Sequence, residues 1–178
     1  RNNVLNWSYN YKKEKNNKVE EAFKNESYGL SEDILKENYE YRNFDIYREA
    51  SGDNETEIIN LKLTKDYNQL VSAVDLYCKE GSKSSYLINF SSEVSDQNLL
   101  IKSLIRIKLE KNSQAKLVIV SNLEENSTNL QSISSIIDED AKLDISYIEL
   151  GADVSFVNIK NHLKGDRSIL EENGVYFK

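Results

Sequence analysis

The chain has 178 residues, enough for one domain with a small appendage and a real core. Its 23 basic and 30 acidic residues leave a net charge of -7, which counts against nucleic-acid binding, where phosphates must be neutralised. One Cys and one His rule out an internal disulfide, and they cannot supply the four ligands of a structural zinc or an Fe–S cluster from this chain alone. No run approaches the ~18 apolar residues a membrane span needs. Arg1-Asn2-Asn3 shows no apolar signal-peptide core, so a cytoplasmic location is expected. The chain has neither Met nor Pro, and translation begins on Met, so residues ahead of Arg1 are expected.

The first fifty residues are polar and helical in character. Val19, Ala22 and Phe23 form an i, i+3, i+4 apolar set within Lys12 to Lys24. The lysines there (Lys12, Lys13, Lys15, Lys18) are interrupted or followed by Glu14, Glu20 and Glu21 and read as a solvated face. Trp7, Tyr9 and Tyr11 alternate, as in a strand that packs on an edge or a binding surface. Tyr28-Gly29 breaks the pattern. Ser31 suits a helix N-cap, with Glu32 and Asp33 in the first turn, where the helix dipole favours acids. Ile34, Leu35 and Tyr39 follow on one face. Ser51-Gly52-Asp53-Asn54 is a turn and the best boundary candidate.

Ile58 to Leu63 partly alternates and reads as a strand. Asp66 can cap a second helix whose apolar positions are Tyr67, Leu70, Val71, Val74, Tyr77 and Cys78, ended by Gly81. Tyr86 to Phe90 reads as a buried strand, and a short helix is expected near Asp96 to Lys102. From about residue 104 the pattern changes. Ile105 to Glu110 alternates strictly, as a half-buried strand does. Leu117 to Val120, Ile133 to Ile137, Leu143 to Leu150, Val154 to Ile159 and Ile169 onward continue the series between polar turns.

Ala115-Lys116-Leu117 recurs as Ala141-Lys142-Leu143, a step of 26, and a second step of 26 reaches Ile169. A period of this size with several short strands is what one turn of a β-solenoid needs, since each coil buries its inner residues only by stacking on the next. An ordinary β-sandwich is the competing reading.

Few residues point to chemistry. Cys78 lies on the apolar face of its expected helix and reads as core packing. His162 falls in a polar turn, without a nucleophile and carboxylate in a triad pattern. Asp138, Glu139, Asp140 and Asp144 form an acidic cluster that would suit either calcium or a turn between coils. Six glycines are scattered singly, so there is no phosphate loop. No catalytic, cofactor-binding or metal-binding residue is assigned.

The stretch from Ile107 to Val120, and Ile137 to Leu143 after it, resembles the core of the SufB/SufD family. So does His162-Leu163-Lys164-Gly165-Asp166-Arg167-Ser168, followed by Asn173-Gly174-Val175-Tyr176-Phe177. These are similar to the family's "leucine, any, glycine, acidic" turn leading into a "glycine, aliphatic, tyrosine" strand. Gly29 to Leu35 resembles a helical segment near the start of SufB-type chains. The resemblance is carried by roughly residues 105–178. It implies a right-handed parallel β-helix and a part in Fe–S cluster assembly, beside a SufB/SufD-like β-helix subunit and the ABC-type ATPase SufC. It implies that the family's sulfur- and iron-handling Cys and His lie late in the β-helix, beyond Lys178, so no functional residue carries over.

The expected architecture is mainly β: a right-handed parallel β-helix (β-solenoid) preceded by a small α/β N-terminal region. The expected divisions are a helical region over 1–52, an α/β connection over 53–103 and a β-helix core over 104–178. The expected function is a non-catalytic scaffold subunit of a SufBCD-type Fe–S assembly complex, not an enzyme. It would bind no cofactor alone, with an Fe–S cluster only in the assembled complex. The expected partners are a SufC-like ATPase and a SufB/SufD-like subunit or a second copy of the chain, with no nucleic acid and no membrane. The alternatives are a polysaccharide-active β-solenoid enzyme using calcium and carboxylates, and a plain structural or interaction domain.

Overall fold

A computed structural model describes residues 3–6, 23, 30–93 and 96–177. Among the described residues, the helix α1 (Glu32–Tyr41) precedes a run of long strands. The strands are β1 (Asn3–Asn6), β2 (Phe44–Ala50), β3 (Asp53–Leu63), β4 (Gln69–Cys78), β5 (Lys83–Ser92), β6 (Leu99–Leu109), β7 (Gln114–Leu123), β8 (Ser127–Ile137), β9 (Lys142–Gly151), β10 (Val154–Leu163) and β11 (Ile169–Phe177). The odd strands form one sheet, ordered β1-β3-β5-β7-β9-β11, and the even strands form the other, β10-β8-β6-β4-β2. Every strand pairing within the two sheets is parallel. The chain thus winds as a flattened parallel β-solenoid, each coil giving one strand to each sheet.

The core is built from columns of like residues. Ile59, Ile88 and Ile119 stack in successive odd strands, and Ile46, Val74, Ile105 and Ile133 do so in the even ones. All seven are at most 2 % exposed. β-branched side chains suit this arrangement because their stiff χ1 packs on a pleated surface. Burying each is worth about 1.5–3 kcal/mol.

One edge of the solenoid turns through a repeated corner. Gly81, Asn112, Asp140 and Arg167 all have positive φ (69°, 59°, 55° and 56°). Gly81 N–H donates to Lys111 O, Asn112 N–H to Glu139 O, and Asp140 N–H to Asp166 O, so the corners are hydrogen-bonded one above another. The residue after each is small, and Ser82, Ser113 and Ala141 are buried. Gly, Asn and Asp are the residues that enter the left-handed region most readily. Arg167 lacks that freedom but is held by Asp140, with two contacts of 2.6 Å.

The outer face of the even sheet carries a lid. α1 begins at Ser31, whose hydroxyl accepts from Ile34 N–H at 3.3 Å, as its N-cap reading required. It is tied down by Asn38, whose amide donates to Ser72 O at 2.8 Å. Phe23 packs edge-on against Tyr47 and Tyr77, with Arg106 over its ring at 4.9 Å. Arg106 is itself clamped by the fully buried Asp75, at 2.5 and 2.8 Å.

Several expectations are corrected. The helix expected from Asp66 to Gly81 is strand β4, and that near Asp96 to Lys102 gives way to β6 from Leu99. The 53–103 region, expected to be α/β, is strand-built among its described residues and shares both sheets with 104–177. β4 is buried on both faces, so its apolar residues match a helical period without forming one. The repeat step of 26 is also displaced. Ala115 pairs with Leu143, a step of 28. Because strand faces alternate, that two-residue error keeps Leu117 and Leu143 pointing inward. The next step is in error by one. Leu170, not Ile169, lies beside Leu143, and Ile169 faces out at 49 % exposure. The aromatic alternation Trp7, Tyr9 and Tyr11 and most of the 12–24 helix lie outside the described residues.

Candidate functional site

The residues singled out in the sequence do not converge. Cys78 is fully buried at the end of β4, its sulfur 3.2 Å from Ser84 Oγ. Burial pushes the thiol up to about 11, against smaller lowering effects from Ser84 and Tyr86. It is a core residue, on a strand and not on the expected helix. His162 is exposed and sits on β10 beside Ile136, not in a turn.

The acidic cluster is a charged corner. Lys111 Nζ lies 2.8 Å from Glu139, and Arg167 bridges Glu139 and Asp140. Lys111 chiefly holds the Glu139 carboxyl below its ordinary range, and Arg167 does the same for Asp140. Asp144 stands away from them on β9, in register with Lys116 and Glu171. Among the described residues, no group of three or more His, Cys, Asp or Glu is placed to hold a metal. A polar cleft of about 560 Å³ opens beside β2 and β3, lined in part by Arg48, Glu57, Ser84 and Tyr86. Its Arg48 and Glu57 are ion-paired to each other.

Two features at the β10–β11 end stand out instead. The first is the pair of outermost strands. β10 and β11 each end a sheet, with one strand neighbour apiece. Their exposed large apolar residues include Val154, Phe156, Ile169, Val175, Tyr176 and Phe177, at 42–65 % exposure. In a stacked solenoid such strands occupy the positions on which a following coil packs, as each earlier coil packs on the next.

The second is a polar interior that sequence reasoning missed. The inner columns, apolar in the early coils, change character here. Ile119 is followed by Tyr147, and Phe90 by Ser121 and Glu149. Across the interior stand Asn129 and Gln131 of β8. All of these polar residues are at most 4 % exposed. Asn129 Nδ2 donates to both Glu149 oxygens, at 3.2 and 2.9 Å, and Tyr147 Oη donates to Glu149 Oε2 at 2.5 Å. Gln131 Nε2 donates to Asn129 Oδ1 and Ser121 Oγ, each at 3.0 Å. Burial first, then the Glu149 hydrogen bond, raise the Tyr147 phenol well above its ordinary value, so it stays a proton donor. The signal was present in the alternation: Asn129 and Gln131 share the parity of Ile133 and Ile137, which face in.

This architecture defines a class: a two-sheet parallel β-solenoid. The chain matches the family model described as SUF system FeS cluster assembly, SufBD core domain, over residues 62–178, and it belongs to that family. The match begins in β3, so the family core takes in the strands expected to be a connecting region. No curated protein and no solved structure matches the chain.

Proposed function

We propose that the chain is a non-catalytic scaffold subunit of a SufBCD-type Fe–S cluster assembly complex, acting in the cytoplasm. Its contribution is mechanical. A rigid solenoid gives a second β-helix subunit, or a second copy, a fixed surface to associate with. An ABC-type ATPase of the SufC kind binds the assembled pair, and the cluster forms only in that complex. The observation that carries this reading is the family match over a two-sheet parallel solenoid. The acidic corner supports it indirectly, since Lys111 and Arg167 already engage two of the carboxylates that a calcium-dependent sugar-cleaving enzyme would need.

The test is co-expression of the complete natural gene with the ATPase and β-helix proteins of the same organism, followed by affinity capture and light scattering. A stoichiometric complex is the expected result. Folded proteins that fail to associate would remove the assembly role.

A further inference from the structure

We propose that the polar interior beside β9 is a binding site for a small monovalent cation, of potassium or ammonium size, with Glu149 as its charged ligand. Glu149 is 4 % exposed, and its hydrogen bonds among the described residues come from Asn129 and Tyr147, both neutral. A buried carboxylate without an opposite charge costs several kcal/mol. Asn129 and Tyr147 soften that cost by hydrogen bonding, but they leave the charge uncompensated.

A second observation points to the same ligand. Gln131 is 2 % exposed, and its carbonyl oxygen accepts no hydrogen bond among the described residues. Its amide nitrogen is fully committed to Ser121 and Asn129, which fixes which end of the side chain is the free acceptor. A buried orphan acceptor is expensive, and most buried polar atoms have a partner. The interior therefore has acceptors in excess: a carboxylate and an amide carbonyl, with the Ser121 and Tyr147 oxygens close by. Tyr147 and Ser121 oxygens lie 3.4 Å apart, which ties the two halves of the network together.

The charge count selects the ligand. One carboxylate balances one positive charge. A divalent ion would require more carboxylates, and calcium typically takes six to eight oxygens. All the candidate ligands are oxygens, which excludes the soft metals that thiolates bind. The site is bordered by the next strand of each sheet: Ser155 Oγ on β10 lies 3.4 Å from Asn129 Nδ2, and the Tyr176 ring on β11 stands 5.9 Å from that of Tyr147.

The experiment compares thermal unfolding of the full chain in choline, sodium, potassium and ammonium chlorides at matched ionic strength. A bound cation raises the midpoint by about 5–10 °C at a hundredfold excess over its dissociation constant. Potassium and ammonium are expected to do so and choline is not. The separate arms tell a metal cation from an ammonium donor. Glu149→Gln is expected to abolish the difference between salts, and Gln131→Met to weaken cation affinity on the order of tenfold. Thallium(I), soaked into crystals of the unmodified protein, is expected to give an anomalous peak beside Glu149, and this arm decides if the glutamate variant does not fold. Identical midpoints in choline and potassium, the same salt response in a folded Glu149→Gln variant, or no thallium peak at Glu149 would overturn the proposal.

Discussion

Gly165 lies so close to the preceding corner that a β-carbon on it would stand 2.0 Å from the backbone nitrogen of Glu139 and 2.4 Å from its Cα. Neither atom can move without disturbing the stacked turns. Gly165→Ala is therefore expected to destabilise the fold by about 1–3 kcal/mol, the range for forced overpacking. Gly174→Ala is the comparison. There the new carbon meets the Tyr176 side chain, at 3.1 Å, and an exposed ring can swing aside. Urea denaturation of the two variants should show a clear loss for the first and a much smaller one for the second.

Asp75 and Arg106 form a buried two-contact pair beneath Phe23. Asp75→Ala removes both of its contacts to Arg106 at a fully buried position and should cost about 3–5 kcal/mol, the range for breaking a buried pair. The double variant Asp75→Leu, Arg106→Met should recover much of that loss, because it removes both desolvation costs. A double-mutant cycle on unfolding free energies checks it.

The Cys78 thiol should resist alkylation at neutral pH in the folded protein and react on unfolding. The same burial has a pH consequence. Its folded pKa is raised from 9.0 to about 11, so the unfolded state loses this proton first. The contribution is fully present below about pH 9 and lost progressively as pH rises toward about 11. Tyr47, Tyr77, Tyr86 and Tyr147 are also raised, chiefly by burial, and act with the same sign. Denaturation midpoints should fall as pH rises from about 9 toward about 11, and the slope should be shallower in Cys78→Ala.

Calcium should leave the thermal midpoint unchanged. Glu139 and Asp140 already engage Lys111 and Arg167, and Asp144 lies apart from them. A calcium-dependent rise would revive the carbohydrate-enzyme reading.

Strands with one polar face were legible in the sequence. Ile105-Arg106-Ile107-Lys108-Leu109 alternates because the even sheet packs inward with one face and meets charged or aromatic groups with the other. β4 was not legible, because α1 and Phe23 cover its outer face and suppress the alternation that would reveal a strand. The repeat was visible but its register was not. Coil lengths differ, and a fixed sequence step cannot track them. The polar interior was hidden for another reason. Glutamate and asparagine on a strand are ordinarily read as solvent-facing, and the parity of Asn129 with Ile133 outweighs residue type only once the partner sheet is in place.

The corner column has a consequence for how such a chain can change length. Between β4 and β5, β6 and β7, and β8 and β9, the connection keeps a four-residue form, 79–82, 110–113 and 138–141, with each corner hydrogen-bonded to the next, while the β2–β3 and β10–β11 connections on the same side span 51–52 and 164–168. The opposite connections vary freely, over 64–68, 93–98, 124–126 and 152–153. In its three central coils one seam of the solenoid thus keeps a constant length, while the other varies from coil to coil. Tags, reporter labels or grafted peptides belong on the variable seam. A residue added to one of the three stacked central corners would disturb the hydrogen bonds that join it to its neighbours.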